Sequence, residues 1–224
     1  MNRPLEKHTP YFELLESLEN ATGCVLCEMR KHSTRRHIDH LLYENVNDPG
    51  FRRRLMASGG FCPHHAEVLL ACGDGLGTAI LYQDQVEETL KFIERLTETN
   101  DRRRRGNIHA EWHSHLPCPL CEYEEQNDAG RIGILLENLN DTQLRRALES
   151  SPGLCIPHLL KTLEALNNSA GRHYLLELHR EKFAQLLEDL KEFIRKQDYR
   201  YAHEKPGREA DAWRRAPKMI LGDR

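Results

Sequence analysis

Cys24-Val25-Leu26-Cys27 is followed, after 34 residues, by Cys62-Pro63-His64-His65; Cys118-Pro119-Leu120-Cys121 is followed, after 33, by Cys155-Ile156-Pro157-His158. Each set offers three soft thiolates and one imidazole, the donor mixture of a closed tetrahedral Zn²⁺ site. A CxxC turn points two thiolates at one centre, and a CxxH on the first turn of a helix supplies the other two donors. The helix N-terminus also favours thiolate over thiol at Cys62 and Cys155. Packing of small buried cysteines does not explain why the same spacing occurs twice. The expected ligands are Cys24, Cys27, Cys62 and His65 for one ion, and Cys118, Cys121, Cys155 and His158 for the other. Two zinc ions per chain are the first expectation and an iron–sulfur cluster the alternative, since Cys₃His ligation can hold one.

His65 aligns with His158, whereas His64 aligns with Pro157, so His65 is the expected ligand and His64 a neighbour. His115 also has ligand spacing to Cys118, but the first half has Ala21 near the matching position. His32, His37 and His40 read as polar residues on a helix surface. Cys72, in Ala71-Cys72-Gly73-Asp74-Gly75-Leu76-Gly77, reads as a small core residue beside glycines that permit close helix approach. That segment matches no phosphate-loop spacing.

The elements that must position these residues repeat with them. At an offset of 93, Asn47-Asp48 falls on Asn140-Asp141 and Gly60-Phe61-Cys62 on Gly153-Leu154-Cys155, while the CxxC pairs align at 94. Such a period marks a duplicated unit. Tyr11, Leu14, Leu15 and Leu18 have helical spacing. Gly23 ends that helix before the first CxxC. A helix over 28–45, a turn at Asn47–Gly50, a short helix over 51–57 and a long helix from Pro63 toward Leu96, kinked at Gly73–Gly77, are predicted. In the second half the helix opened at Pro157 leads to an apolar stripe through Leu175, Leu186 and Phe193. Period-two alternation is absent. The prediction is an all-α fold of two pseudo-symmetric helical repeats, each with its own metal site: 1–98 and 108–197, a linker at 99–107, and a tail at 198–224 with a short docking helix carrying Trp213, Met219 and Ile220.

Lys plus Arg number 32 and Asp plus Glu 35, a net charge of −3, which gives no global case for nucleic acid or a membrane surface. Arg52-Arg53-Arg54 and Arg102–Arg105 lack aromatic interleaving and read as a solvated face and a linker. With no signal-peptide pattern, the expected compartment is the reducing cytoplasm, where paired cysteines mean metal rather than disulfide. GxSxG and HExxH are absent, and no catalytic set emerges.

The two CxxC…G-[FL]-C-x-x-H motifs, the Gly73–Gly77 segment after Cys62-Pro63-His64-His65, and the tail Lys196-x-Asp198-Tyr199-Arg200…Glu209-Ala210-Asp211-Ala212-Trp213-Arg214-Arg215 resemble a bacterial and archaeal domain family of uncharacterised function. The resemblance implies a helical protein with a duplicated Cys/His core and carries no activity. The function expected is a metal-stapled binding, scaffold or regulatory module with a protein partner, compatible with homo-oligomers. A redox or metal sensor is the chief rival, and an enzyme using a groove between the repeats a weaker one.

Overall fold

The structure is a computed structural model and describes residues 8–98, 108, 112, 116–201 and 203–223. Among these residues there is no strand, and the chain is all-α. Helix α1 spans Thr9–Asn20, α2 Val25–His40, α3 Pro49–Ala57, α4 Pro63–Leu70 and α5 Gly75–Glu98. Then follow α6 Pro119–Glu137, α7 Thr142–Ser150, α8 Ile156–Ala165, α9 Ser169–Lys196 and α10 Ala212–Leu221. A π-turn, Leu41–Asn45, extends α2, and 3₁₀ turns at Tyr199–Tyr201 and Arg208–Asp211 precede α10.

The helix starts follow local chemistry. Asp48 caps α3 by accepting from Phe51 N at 2.6 Å, and Asp141 caps α7 by accepting from Gln143 N and Leu144 N. Pro63 and Pro157 lie in the first turns of α4 and α8, where a missing N–H costs nothing. The long helices expected after each CxxH are broken instead. Gly73, at φ 76°, ends the first piece. Asp74 then caps α5, accepting from Gly77 N at 2.9 Å. The glycines do not form a small-residue seam as expected. A Cβ would meet nothing at Gly73 or Gly75, and only Gly77 sits against a neighbour, Leu42. In the second half, Asn168 caps a fresh helix by accepting from Gly171 N.

Two compact units emerge, and they do not follow the boundaries 1–98 and 108–197. One unit comprises Met1–Lys31 with Asn127–Arg224. Its core contains Leu14, Leu18, Leu135, Leu148, Leu154 and Leu175. The other is His32–Gln126, with a core of Ile38, Leu41, Leu55, Leu69, Leu81 and Leu120. Fully burying each such side chain contributes about 2 kcal/mol. In the first unit the stripe Tyr11, Leu14, Leu15, Leu18 packs on α7, and Tyr11 Oη donates to Asp141 at 2.7 Å. In the second, Leu116 N donates to Ala57 O at 2.9 Å, and Leu120 is fully buried, which brings the segment before α6 to the end of α3.

In the tail, Met219 and Ala212 of α10 bury against Leu186, while Trp213 and Ile220 are exposed. The expected docking helix therefore docks through Met219 with Ala212, and not through Trp213 or Ile220. Asp189 of α9 accepts from Arg208 and Arg215 at 3.1 and 2.9 Å, tying the tail down. The expected linker 99–107 lies outside the described residues.

Candidate metal centres

The eight expected ligand residues converge as two groups of four, but the pairing is exchanged. Cys24 and Cys27 meet Cys155 and His158, while Cys118 and Cys121 meet Cys62 and His65. Each CxxC thus joins the CxxH of the other sequence half. Spacing could not reveal this, because in a duplicated chain both pairings satisfy the same motif. The packing of α1 on α7 and the anchoring of Leu116 and Leu120 decide it.

The first centre lies wholly within the unit Met1–Lys31 plus Asn127–Arg224. His158 Nδ1 faces Cys24 and Cys27 Sγ at 3.4 Å and Cys155 Sγ at 3.2 Å; Cys27 and Cys155 Sγ are 3.7 Å apart. All four residues are buried. The far nitrogen, His158 Nε2, lies 3.1 Å from Asp128 Oδ2, a hydrogen bond that orients the ring. Asp128 is itself met by Arg30 at 3.3 Å and Arg131 at 3.7 Å. The chain segment after α10 closes over the sulfurs: Asp223 N donates to Cys27 Sγ at 3.4 Å, and Lys31 and Lys218 hold the Asp223 carboxylate at 2.6 and 3.0 Å. Gly222, at φ 80°, makes that approach, with its Cβ position only 3.6 Å from Cys155 Sγ.

The second centre lies within His32–Gln126. His65 Nδ1 faces Cys62 Sγ at 3.2 Å and Cys118 and Cys121 Sγ at 3.5 Å, and Cys62 and Cys121 Sγ are 3.7 Å apart. Here Cys121 is exposed and Cys62 partly so. His65 Nε2 lies 3.1 Å from Glu124 Oε1, and Thr34 Oγ1 donates to the same carboxylate at 2.8 Å. His64 stands beside His65 and Glu124 rather than among the sulfurs. His115 lies outside the described residues. Cys72 joins neither group; its Sγ points to Val68 O at 3.4 Å, and burial pushes its thiol up.

Three clustered thiols cannot all ionise unaided. Contact with Cys155 and then Cys27 pushes Cys24 far up, while contacts with Cys155 and then Cys24 pull Cys27 far down. Burial opposes the imidazolium at His158, but Asp128 and the thiols raise it to about 11. At the second centre burial likewise opposes the charge on His65, and contacts with Cys118 and Glu124 raise it to about 10. A divalent cation at either centre would replace these protons and relieve the repulsion between thiolates. Each group can hold a metal ion, and four filled positions leave none open for a substrate.

The pattern of this chain matches, over residues 7–224, a family of unknown function designated DUF6062. The chain belongs to that family. It is also similar to an uncharacterized 23.9 kDa protein from Caldicellulosiruptor sp. (strain Rt8B.4), 27% identical over 206 residues that cover 89% of this chain and 95% of the relative. No solved structure matches the chain. The prokaryotic resemblance read from the motifs holds, and the family carries no activity to transfer.

The orienting carboxylates escaped the motif reading. Glu124 and Asp128 follow Cys121 by three and seven residues on α6, positions that share a helix face with it. Arg30 and Thr34 follow Cys27 by the same steps on α2. Paired polar residues at these offsets after each CxxC were the signal available. His179 was also missed. It accepts from Leu154 N at 2.8 Å through Nε2, holding the loop that delivers Cys155. In the other unit, the Tyr82 ring lies against the loop before Cys62, its centroid 6.5 Å from that of Phe61 and its edge in reach of Gly60. Of the arginine runs, Arg102–Arg105 lies outside the described residues; in the other, Arg52 grips Asp84 at 2.6 and 2.8 Å, and Arg54 meets Glu122 at 2.7 Å, ion pairs on a solvated face.

Proposed function

We propose that the chain holds two structural Zn²⁺ ions, one per compact unit, and acts in the cytoplasm as a binding or scaffold module for a protein partner. The observation that carries the reading is donor spacing. A tetrahedral zinc with Zn–S of about 2.3 Å and Zn–N of about 2.0–2.1 Å sets its sulfurs about 3.8 Å apart and sulfur from nitrogen about 3.6 Å. One sulfur pair at each centre, Cys27–Cys155 and Cys62–Cys121, stands at 3.7 Å, and the sulfur–nitrogen pairs stand at 3.2–3.5 Å. The carboxylates behind His158 and His65 are the outer partners that zinc-bound histidines use. An iron–sulfur cluster spreads its ligands over separate iron atoms, whereas each group here keeps its donor atoms within 4.8 Å of one another, which favours a single ion. Closed coordination favours a staple over a Lewis acid.

In this role each ion clips the start of α2 or α6 to the first turn of α8 or α4. It thereby fixes the surface that such a module presents. Elemental analysis of anaerobically purified, chelator-free protein tests the reading. The expected result is about two zinc atoms per chain and a colourless solution. Stoichiometric iron with acid-labile sulfide, or less than one metal per chain, would overturn it.

A further inference from the structure

The two centres differ in one respect that bears on reactivity. At the first, every sulfur is buried, and Asp223 N and Arg30 Nη2 lie against Cys27 Sγ at 3.4 and 3.9 Å. At the second, Cys121 is exposed and Cys62 partly exposed, with their sulfurs 3.7 Å apart. Oxidation of thiolates follows access as well as thiolate character. Zinc keeps both sulfurs as thiolates, so access separates the centres.

We infer that Cys121 and Cys62 form a peroxide-sensitive pair whose oxidation to a disulfide releases the metal of the second centre while the first retains its own. The inference rests on the zinc reading above. The chemistry balances as a two-electron oxidation by a hydroperoxide. The Cys121 thiolate attacks one peroxide oxygen, the O–O bond breaks, and hydroxide leaves, giving a sulfenic acid at Cys121. The Cys62 thiolate then attacks that sulfur, the S–S bond forms, and the second hydroxide leaves. Two of four donors are consumed, and Cys118 and His65 alone hold the ion too weakly to retain it. A thiol reductant with free zinc reverses the step. The equivalent pair at the first centre, Cys27 and Cys155, has the same 3.7 Å separation and serves as an internal control.

The experiment treats the zinc-loaded full chain with hydrogen peroxide. It follows zinc release with the chromophore 4-(2-pyridylazo)resorcinol and maps disulfides by mass spectrometry. The expected result is one zinc released at least about tenfold faster than the other. A Cys62–Cys121 disulfide should form in step, and dithiothreitol with zinc should restore the starting stoichiometry. Release of both ions at one rate, release of neither, or a Cys27–Cys155 disulfide forming first would overturn the inference while leaving the zinc reading intact. Protein with no zinc before treatment would sink the zinc reading itself.

Discussion

At the first centre the sulfurs are sealed by Gly222 and Asp223, and the ring of His158 is braced by an aspartate that two arginines hold. At the second, the same donor set opens toward solvent at Cys121, and His65 is backed by a glutamate met by a threonine. Identical first ligands therefore sit in different surroundings. Motif identity fixes which atoms bind, but burial and the second layer of contacts decide how firmly a site is held and how easily it is reached.

Loss of a ligand should separate the centres most. Cys155→Ser removes a donor from a buried group inside the larger core, and it should cost one zinc and several kcal/mol. That corresponds to a Tm drop of about 10 °C or more at about 2–4 °C per kcal/mol. Cys121→Ser should cost one zinc as well, but about half the Tm drop, because its side chain is exposed. Calorimetry of both variants checks the order, and equal Tm values for Cys155→Ser and wild type would remove the staple.

A smaller contrast is expected one layer out. Asp128→Asn should weaken zinc at the first centre about 10–100-fold, and it leaves Arg30 and Arg131 facing a neutral amide. Glu124→Gln should weaken the second centre by less, since Glu124 is only partly buried. Competition with a chromophoric chelator measures both, and equal effects would mean that the two carboxylates contribute alike.

The smallest contrast concerns pH. His179 is buried and accepts a backbone hydrogen bond, so burial holds its pKa below the usual 6.5. Its folded form is neutral. The stability it contributes is therefore complete above about pH 6.5 and lost as pH falls below that value. Tyr82, whose ring lies against the matching loop in the other unit, does not titrate in this range. The Tm of the wild type should fall more steeply between about pH 7.5 and 5.5 than that of His179→Gln, which keeps an acceptor without an ionisable ring. Parallel curves would assign the acid sensitivity elsewhere.

Much of this architecture was legible in the residues. The stripe Tyr11–Leu18, the caps Asp48 and Asp141, and the prolines after Cys62 and Cys155 are local signals, and the helices follow them. The break at Gly73–Asp74 was read as a kink, and the one at Leu166–Asn168 was not read at all, because the apolar spacing resumes beyond each. The exchange of ligand sets was illegible for a different reason. It depends on which half each apolar face packs against, a long-range choice that two similar halves leave undetermined. The covering of Cys27 by Asp223 depends on the approach of a segment about 200 residues away in sequence, which no local motif encodes.

The exchanged pairing is tested most directly by counting zinc in two double variants. Cys24→Ser with Cys155→Ser removes two ligands of one centre, so the protein should retain about one zinc per chain. Cys24→Ser with Cys62→Ser removes one ligand from each centre, so both ions should be weakened and the retained zinc should fall toward zero. Inductively coupled plasma mass spectrometry after dialysis gives the counts. One zinc retained by the Cys24/Cys62 pair, with none retained by the Cys24/Cys155 pair, would contradict the exchange and return each metal to its own sequence half.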